Sequence, residues 1–274
     1  MWTTLRTLSM RRISMKNSPQ LHTYATVPEI TAFSTTRHGG TGEGNYAGFN
    51  MNEYCGDTPE HTAACRKALA EELGVDESHI IMPHQTHDIN PRIIGSEFLS
   101  LPQDIRRMLL EGVDSILTDV PGVCIGVSTA DCVPVLLHDA AHNAVAAVHA
   151  GWRGTVKSVV LRAVTEMRLA YGTDAAALTA IVGPAISVKN FEVGDEVYNE
   201  FLEAKMPMDS IARREEKWHI DLPLCNKMQL MMAGLKEENI QMSGICTYDN
   251  ADDYFSARRL GKESGRIFSG IVIR

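Results

Sequence analysis

Three residues of the types that bind zinc lie in three separate segments of the sequence. His87 ends the segment HQTH, Cys132 ends TADC, and His149 begins HAGWRG. Two imidazoles and one thiolate form a suitable zinc set, and three protein ligands leave the fourth tetrahedral position to water, as in catalytic sites. The residues therefore predict a single catalytic zinc. The alternative is two hydrogen-bonded polar histidines and a buried cysteine, because no short metal-binding motif spans the three.

A glycine-rich segment, HGGTGEGNYAG at 38–48, suggests a second part of the site. Arg37 directly precedes it, and Arg153 lies where a helix is predicted to begin after His149. Guanidinium groups in such places suit a phosphate or a carboxylate, although each could equally cover apolar neighbours at the surface. The segment lacks the GxGxxG spacing and the Walker lysine of nucleotide-binding loops. We predict substrate contacts from Arg37, Arg153, His84 and Asn50.

The hydrophobic pattern predicts strands and helices without strict alternation, which favours an α+β fold with a mixed sheet. We expect the four strands between 115 and 148 to be neighbours in one sheet that carries the metal ligands near strand ends. The predicted strands are 79–82, 115–118, 123–128, 133–138, 144–148, 178–182, 245–247 and 267–273. The predicted helices are 60–73, 103–110, 154–170, 195–201 and 222–233.

Composition limits the classes of partner. The chain has 274 residues and a formal net charge of -8, which argues against duplex nucleic acid or an anionic membrane as the main partner. Six scattered cysteines without a CxxC pair indicate reduced thiols in a cytoplasmic protein. No apolar run is long enough for a membrane span. Most histidines outside the three segments are expected at the surface, namely His22, His61, His79, His138, His142 and His219.

The first twenty residues differ from the rest of the chain. They carry basic residues and no acidic one, with serine and threonine between them, the basic residues being Arg6, Arg11, Arg12 and Lys16. We interpret residues 1–20 as a disordered or over-extended tail, with a transit peptide as the alternative. Residues 21–274 are predicted to form a single catalytic domain.

Taken together, these segments resemble the YfiH-type family of laccase-domain, or polyphenol oxidase-like, proteins, now regarded as purine nucleoside phosphorylases. The resemblance covers the chain from about residue 25 to its end. HAGWRG and ADCVP are its most specific motifs. The matching segments are STTRHGG (34–40), QTH (85–87), ADCVP (130–134), HAGWRG (149–154), GPAI (183–186), FEVGDEV (191–197), DLP (221–223), CTY (246–248), FSARR (255–259) and GR (265–266).

The resemblance implies a single-domain, four-layer α/β/β/α sandwich and a zinc ion on His87, Cys132 and His149, with copper less expected. It implies phosphorolysis of adenosine, inosine, guanosine or methylthioadenosine with inorganic phosphate, and hydrolytic deamination of adenosine. We expect a monomer or a small homo-oligomer. The sequence departs from the family at Asp88, where a glycine usually follows the first ligand histidine.

Other functions stay open at this point. A polyphenol oxidase of the laccase type would need several coppers and HxH pairs, which the chain lacks. An amidase that edits peptidoglycan precursors would use the same zinc chemistry. A zinc-stabilised binding module would need a fourth protein ligand, for which His84 and Asp88 are candidates.

Overall fold

Two mixed β-sheets form the centre of the computed structural model, which describes residues 18–274. In spatial order, the five-stranded sheet contains β1 (Leu21–Thr23), β2 (Ile30–Thr35), β14 (Ile267–Ile273), β6 (Cys124–Thr129) and β3 (Ile80–Ile81). The six-stranded sheet contains β13 (Ile240–Met242), β9 (Thr179–Val182), β7 (Val133–Asp139), β8 (Ala144–Ala150), β5 (Ser115–Thr118) and β4 (Pro91–Ile93). A three-stranded sheet contains β10 (Glu192–Val193), β12 (Trp218–Ile220) and β11 (Ala212–Arg214).

The helices are α1 (Pro59–Leu73), α2 (Ser96–Leu99), α3 (Gln103–Leu109), α4 (Trp152–Val156), α5 (Val159–Tyr171), α6 (Asp195–Glu203), α7 (Met208–Ile211), α8 (Leu222–Ala233) and α9 (Ala257–Leu260). Helix α1 covers the outer face of the five-stranded sheet, and α5 and α8 cover the outer face of the six-stranded sheet. The ends of α1 follow from its sequence. Thr58 accepts a hydrogen bond from the His61 N–H as the N-cap, and Gly74 ends the helix in the left-handed conformation.

The strands alternate their side chains between two cores. In β8, Val145 and Ala147 pack between the two large sheets, whereas Ala146 and Val148 pack under α5 and α8. On the other sheet, Phe268 and neighbouring side chains pack against α1. Because each sheet has one face on its partner and one face under helices, the layers are α/β/β/α. The predicted α+β, four-layer, single-domain fold is confirmed.

One predicted strand lies in a different sheet from the one expected. The strand predicted at 123–128 is β6, which pairs with β14 and β3 in the five-stranded sheet. Its predicted neighbours, β5, β7 and β8, pair with one another in the six-stranded sheet. The prediction was wrong because β6 finds its partner at the far end of the chain, and a local apolar pattern does not encode such a pairing. The segment predicted as a strand at 245–247 forms only an isolated bridge through Cys246.

The helix predicted at 154–170 is interrupted. Ser158 adopts a left-handed conformation, with φ at 62°, and separates α4 from α5. The Thr155 carbonyl accepts the Ser158 N–H and also the Gln229 side-chain N–H at 2.7 Å. The break is therefore stabilised by a contact from α8, which the local sequence does not show.

Several histidines expected at the surface are buried. His61, His138 and His219 are between 7% and 9% exposed. His61 contacts Asp57 and Cys65, and His219 Nδ1 lies 2.9 Å from a carbonyl oxygen. A ring that finds such partners can be buried at low cost, because its polar atoms stay hydrogen-bonded.

The predicted tail at residues 1–20 lies outside the described residues as far as position 17. The adjoining Pro19 is buried, and the Gln20 carbonyl accepts the Thr36 N–H at 2.9 Å. Within residues 18–274, every helix is too short or too polar to cross a membrane.

Candidate metal centre

The structure brings His87, Cys132 and His149 together. Their potential ligand atoms, two imidazole nitrogens and one sulfur, all lie within 4.8 Å of one another. The two imidazole rings meet edge to face, with centroids 4.7 Å apart. His149 is buried, Cys132 is half-buried and His87 is exposed, so the centre is open on the His87 side. Such a set can hold one small cation and leave it accessible.

Cys132 is presented by a tight turn between β6 and β7. Asp131 occupies the left-handed region there, with φ at 87°. Its carboxylate accepts the Thr247 hydroxyl at 2.6 Å and the Arg258 backbone N–H at 2.7 Å. These contacts stabilise a conformation that a non-glycine residue rarely adopts. The turn therefore fixes where the Cys132 sulfur points.

His149 is oriented by Asp114, a residue fully buried just before β5. The Nδ1 atom of His149 lies 2.7 Å from Asp114 Oδ1, and because a carboxylate only accepts, Nδ1 carries the proton. The other nitrogen, Nε2, is thereby left as the ligand atom. A carboxylate that orients a ligating histidine in this way is the usual outer partner of a metal-bound imidazole.

The same carboxylate holds the loop that carries His87. Asp114 accepts the backbone N–H groups of Thr86, His87 and Asp88, at 3.3, 3.0 and 2.8 Å. His87 itself has a φ of 65°, so these bonds support a strained position. Gln85 adds a second anchor, since its side chain makes two 2.8 Å hydrogen bonds with the backbone of Ser128 at the end of β6.

Gly151 leaves the space that the centre needs. A Cβ atom at this position would lie 2.9 Å from His87 Cδ2 and 3.0 Å from Cys132 Sγ. Any larger residue would push these two side chains apart. The donor set, the orientation of His149 and this close approach all fit a bound zinc ion.

The charges of the centre favour a thiolate ligand. Burial alone would raise the pKa of the Cys132 thiol, but His149 and His87 lower it to about 6. Burial alone would lower the pKa of His149, but Cys132 and Asp114 raise it to about 9. The pKa of Asp114 is lowered against the effect of burial by its hydrogen bonds from His149 and the loop. Without a metal, the pair is therefore a thiolate beside a protonated His149 at neutral pH, and a bound cation would displace the proton from Nε2.

The two predicted arginines have different surroundings. Arg37 donates to the carbonyl oxygens of Ala251 (2.6 Å) and Ala47 (3.1 Å), and its guanidinium lies 4.8 Å from the centre of the Phe255 ring. It therefore ties loops together around the glycine-rich segment. Arg153 is exposed two residues after Gly151, with its guanidinium 4.2 Å from the Trp152 ring.

The other two predicted contacts also differ from each other. Asn50 is fully buried, and its side chain donates to Asp57 at 2.7 Å and accepts the Arg266 backbone N–H at 3.1 Å. Its polar atoms are thus used within the fold. His84 is partly exposed, and its Nδ1 lies 2.8 Å from Glu111 Oε1. The fourth-ligand candidate Asp88 pairs with Lys157 at 2.9 Å.

Asp114 is the functional residue that the sequence analysis missed. One signal was available, since it directly precedes a predicted strand in the same region as two of the ligands. A cavity of about 700 Å³ also lay outside the prediction. It lies between α1 and α3 and is lined by Tyr54, Arg66 and Arg106 among others, with none of the three metal ligands in its wall.

Comparisons with known proteins show the family of the chain. A family model described as multi-copper polyphenol oxidoreductase laccase matches residues 31–274. A purine nucleoside phosphorylase of Bacteroides thetaiotaomicron is 44% identical over 247 residues, which cover 89% of this chain and 92% of that protein. An adenosine deaminase from an unknown prokaryotic organism is 42% identical over 248 residues, which cover 89% of this chain and 94% of that protein.

Two solved structures share the fold. The hypothetical protein YfiH of Bacillus licheniformis superposes with a TM-score of 0.84 at 26% identity, over 95% of this chain and 98% of that one. The protein YlmD of Geobacillus stearothermophilus superposes with a TM-score of 0.83 at 28% identity, over 90% and 93%. With the matched family model and the two close relatives, they show that the chain belongs to the multi-copper polyphenol oxidoreductase laccase family, the YfiH-type family that the motifs resemble.

Proposed function

We propose that this protein is a zinc-dependent purine nucleoside phosphorylase that also deaminates adenosine. The observation that carries the proposal is the group of His87, Cys132 and His149, with Asp114 orienting one ligand and holding the loop of another. The names of the two relatives above 40% identity supply the substrate class. We take the protein to work on purine nucleosides and inorganic phosphate in the cytoplasm.

The chain's own residues prepare the site. A bound zinc ion supplies a Lewis acid that activates water near neutral pH. Asp114 keeps His149 in the tautomer that exposes Nε2, and Gly151 keeps the space between His87 and Cys132 clear. Arg153 is the predicted anion contact whose exposed guanidinium, stacked on Trp152, follows Gly151 by two residues, so we assign it the phosphate. Arg37 holds the loops around the glycine-rich segment through the Ala251 and Ala47 carbonyls, and we assign this segment to the substrate-binding side.

Two alternatives have less support. Oxidation of phenols by several coppers needs several sets of ligands, and within residues 18–274 the structure holds one such group. A closed, structural zinc site needs a fourth protein ligand, whereas the group found within residues 18–274 has three members and includes neither His84 nor Asp88. Amide hydrolysis would use the same three ligands, so it is separated from nucleoside chemistry by the assay below.

Chromatographic product analysis tests the proposal. Purified protein is incubated with adenosine, inosine, guanosine or methylthioadenosine, each with and without phosphate. We expect free purine base and a pentose 1-phosphate only when phosphate is present, and inosine from adenosine in both conditions. Elemental analysis should find about one zinc per chain. Full activity in metal-free protein, or amide cleavage without nucleoside turnover, would contradict the proposal.

A further inference from the structure

A histidine and a glutamate outside the metal-ligand set, His84 and Glu111, form a pair and lie three residues before His87 and Asp114 respectively. The Nδ1 atom of His84 lies 2.8 and 2.9 Å from the two carboxylate oxygens of Glu111. Because a carboxylate only accepts, Nδ1 carries a proton and Nε2 is the nitrogen that remains for another partner. The ring also stacks on Tyr54, with centroids 4.2 Å apart and planes 21° apart. The orientation of the imidazole is thus fixed from two sides.

Backbone hydrogen bonds hold the pair in register. The His84 N–H donates to the Leu110 carbonyl, and the Gly112 N–H donates to the His84 carbonyl, both at 3.0 Å. These two bonds place residues 84 and 111 side by side as a parallel bridge. The side chain of His84 remains 36% exposed, so a substrate can reach it.

The pair is attached to the metal centre at both ends. His84 lies three residues before the ligand His87, a separation of at most about 10 Å along an extended chain. Glu111 lies three residues before Asp114, whose carboxylate binds the backbone of the His87 loop. Each member of the pair thus lies a short stretch of chain from a residue of the centre, and the proposal places a nucleoside bound at the centre against His84.

We propose that His84 is the proton donor to the departing purine in phosphorolysis and that Glu111 is its positioning residue. The inference rests on the proposed function. A phosphate oxygen forms a bond to C1′ as the C1′–N9 bond breaks, and the purine takes the electron pair. The purine receives a proton from Nε2 of protonated His84. The attacking hydrogen phosphate keeps its own proton until the ester has formed, and that proton then passes to His84. Atoms and charge balance without any further reactant.

Chemistry supports a separate donor for this step. A purine is a poor leaving group as an anion, and a placed general acid typically accelerates such a departure by about 10²–10⁴-fold. The two ligand histidines do not serve, because His149 uses Nδ1 on Asp114 and both are assigned to the metal. His84 combines an oriented ring, partial exposure and a position three residues from the ligand His87 in the chain.

The test compares two nucleosides in the full-length, zinc-loaded protein. Inosine needs a proton on its leaving base, whereas 7-methylinosine carries a positive charge on the base and leaves without one. For His84→Gln we expect kcat/KM of inosine phosphorolysis to fall by about 10²–10⁴-fold. We expect the value for 7-methylinosine to stay near that of the unaltered protein. Glu111→Gln should show the same selective pattern with a smaller loss.

His142→Gln is the matched control. His142 also pairs with a carboxylate, Asp139 at 2.8 Å, and is 41% exposed, but it lies in the turn at the far end of β7 and β8. It should leave both reactions unchanged. Equal losses for the two nucleosides in His84→Gln, or loss of zinc from that variant, would overturn the inference. If the unaltered protein cleaves neither nucleoside, the proposed function itself fails, which is a distinguishable result.

Discussion

Asp114 serves two ligands with one carboxylate. One oxygen accepts the His149 Nδ1 proton, and the two oxygens together accept three consecutive backbone N–H groups of the His87 loop. The residue is fully buried, so these bonds form in a low-dielectric environment where a lost partner is costly. Its influence on a bound metal would therefore be indirect, through the placement of two imidazoles.

Asp114→Asn should weaken zinc binding. The amide replaces one acceptor oxygen by a donor, which then faces N–H groups and cannot satisfy all of them. We expect zinc affinity to fall by about 10–100-fold, the range typical for outer partners of ligating histidines. Competition with a chromophoric chelator measures the change.

Asp139→Asn provides the control for this prediction. Asp139 is 2% exposed and likewise accepts a histidine Nδ1 and two backbone N–H groups, from Ala141 and His142. It lies at the opposite end of β7 from Cys132, about 20 Å away by strand length. Zinc affinity should be unchanged there. An equal loss in both variants would indicate general destabilisation.

Cys132 is expected to change its reactivity with pH and with metal. Its pKa is lowered to about 6, so in metal-free protein the thiolate predominates at pH 7 and gives way to the thiol as the pH falls. Iodoacetamide labelling followed by mass spectrometry should therefore be fast at pH 7 and fall about tenfold per unit below pH 6. With zinc bound, labelling should be slow throughout this range, because the sulfur is occupied.

Cys124 is the internal control for the labelling. It is fully buried, and burial raises its pKa to about 12, so it should stay unlabelled in either state. Rapid labelling of Cys132 in zinc-loaded protein, or a substrate trapped covalently on its sulfur, would show that this cysteine is a nucleophile and not a ligand.

At the scale of elements, the break between α4 and α5 decides how Gly151 and the residues after it are placed. The α4 helix begins directly after Gly151, and a Cβ on Gly154 would lie 3.3 Å from the Asp88 carbonyl oxygen. The short helix thus packs against the His87 loop. The apolar stripe of α5 was predictable from its period, but the break was not, because the Gln229 contact that stabilises it comes from α8.

Ser158→Gly should stabilise the protein. Ser158 has a φ of 62°, which costs about 1 kcal/mol or more for a residue with a Cβ and nothing comparable for glycine. Because glycine also gains entropy in the unfolded chain, we expect a net gain below about 1 kcal/mol in urea denaturation. Ala170→Gly, on the exposed side of α5, should instead lose up to about 1 kcal/mol. A loss in both variants would contradict the prediction.

At the scale of the molecule, the sequence predicted the residues of the candidate centre and the layers of the fold, but not how the strands are distributed between the two sheets. The three residues of the candidate metal centre were predicted to lie together because their types and motifs are local, and the layers followed from the resemblance. The distribution of strands between sheets was not found, because β6 pairs with β14 from the end of the chain. The consequence is that the site joins both sheets, since Gln85 binds the end of β6 while Asp114 stands at the start of β5.

Zinc should therefore stabilise the whole molecule in one cooperative transition. Its ligands come from the loop before β4, the turn between β6 and β7 and the end of β8, and all three positions separate on unfolding. A ligand that binds only the native state at 100 times its Kd contributes about 2.7 kcal/mol, or roughly 5–10 °C in Tm for a domain of this size. Calorimetry with zinc and with chelator should show one transition that moves by this amount.

In His149→Ala the Tm should no longer depend on zinc, because the remaining two ligands bind the ion too weakly. A zinc-dependent shift of the same size in that variant would show that the ion binds elsewhere, and two separate transitions would show that the sheets unfold independently.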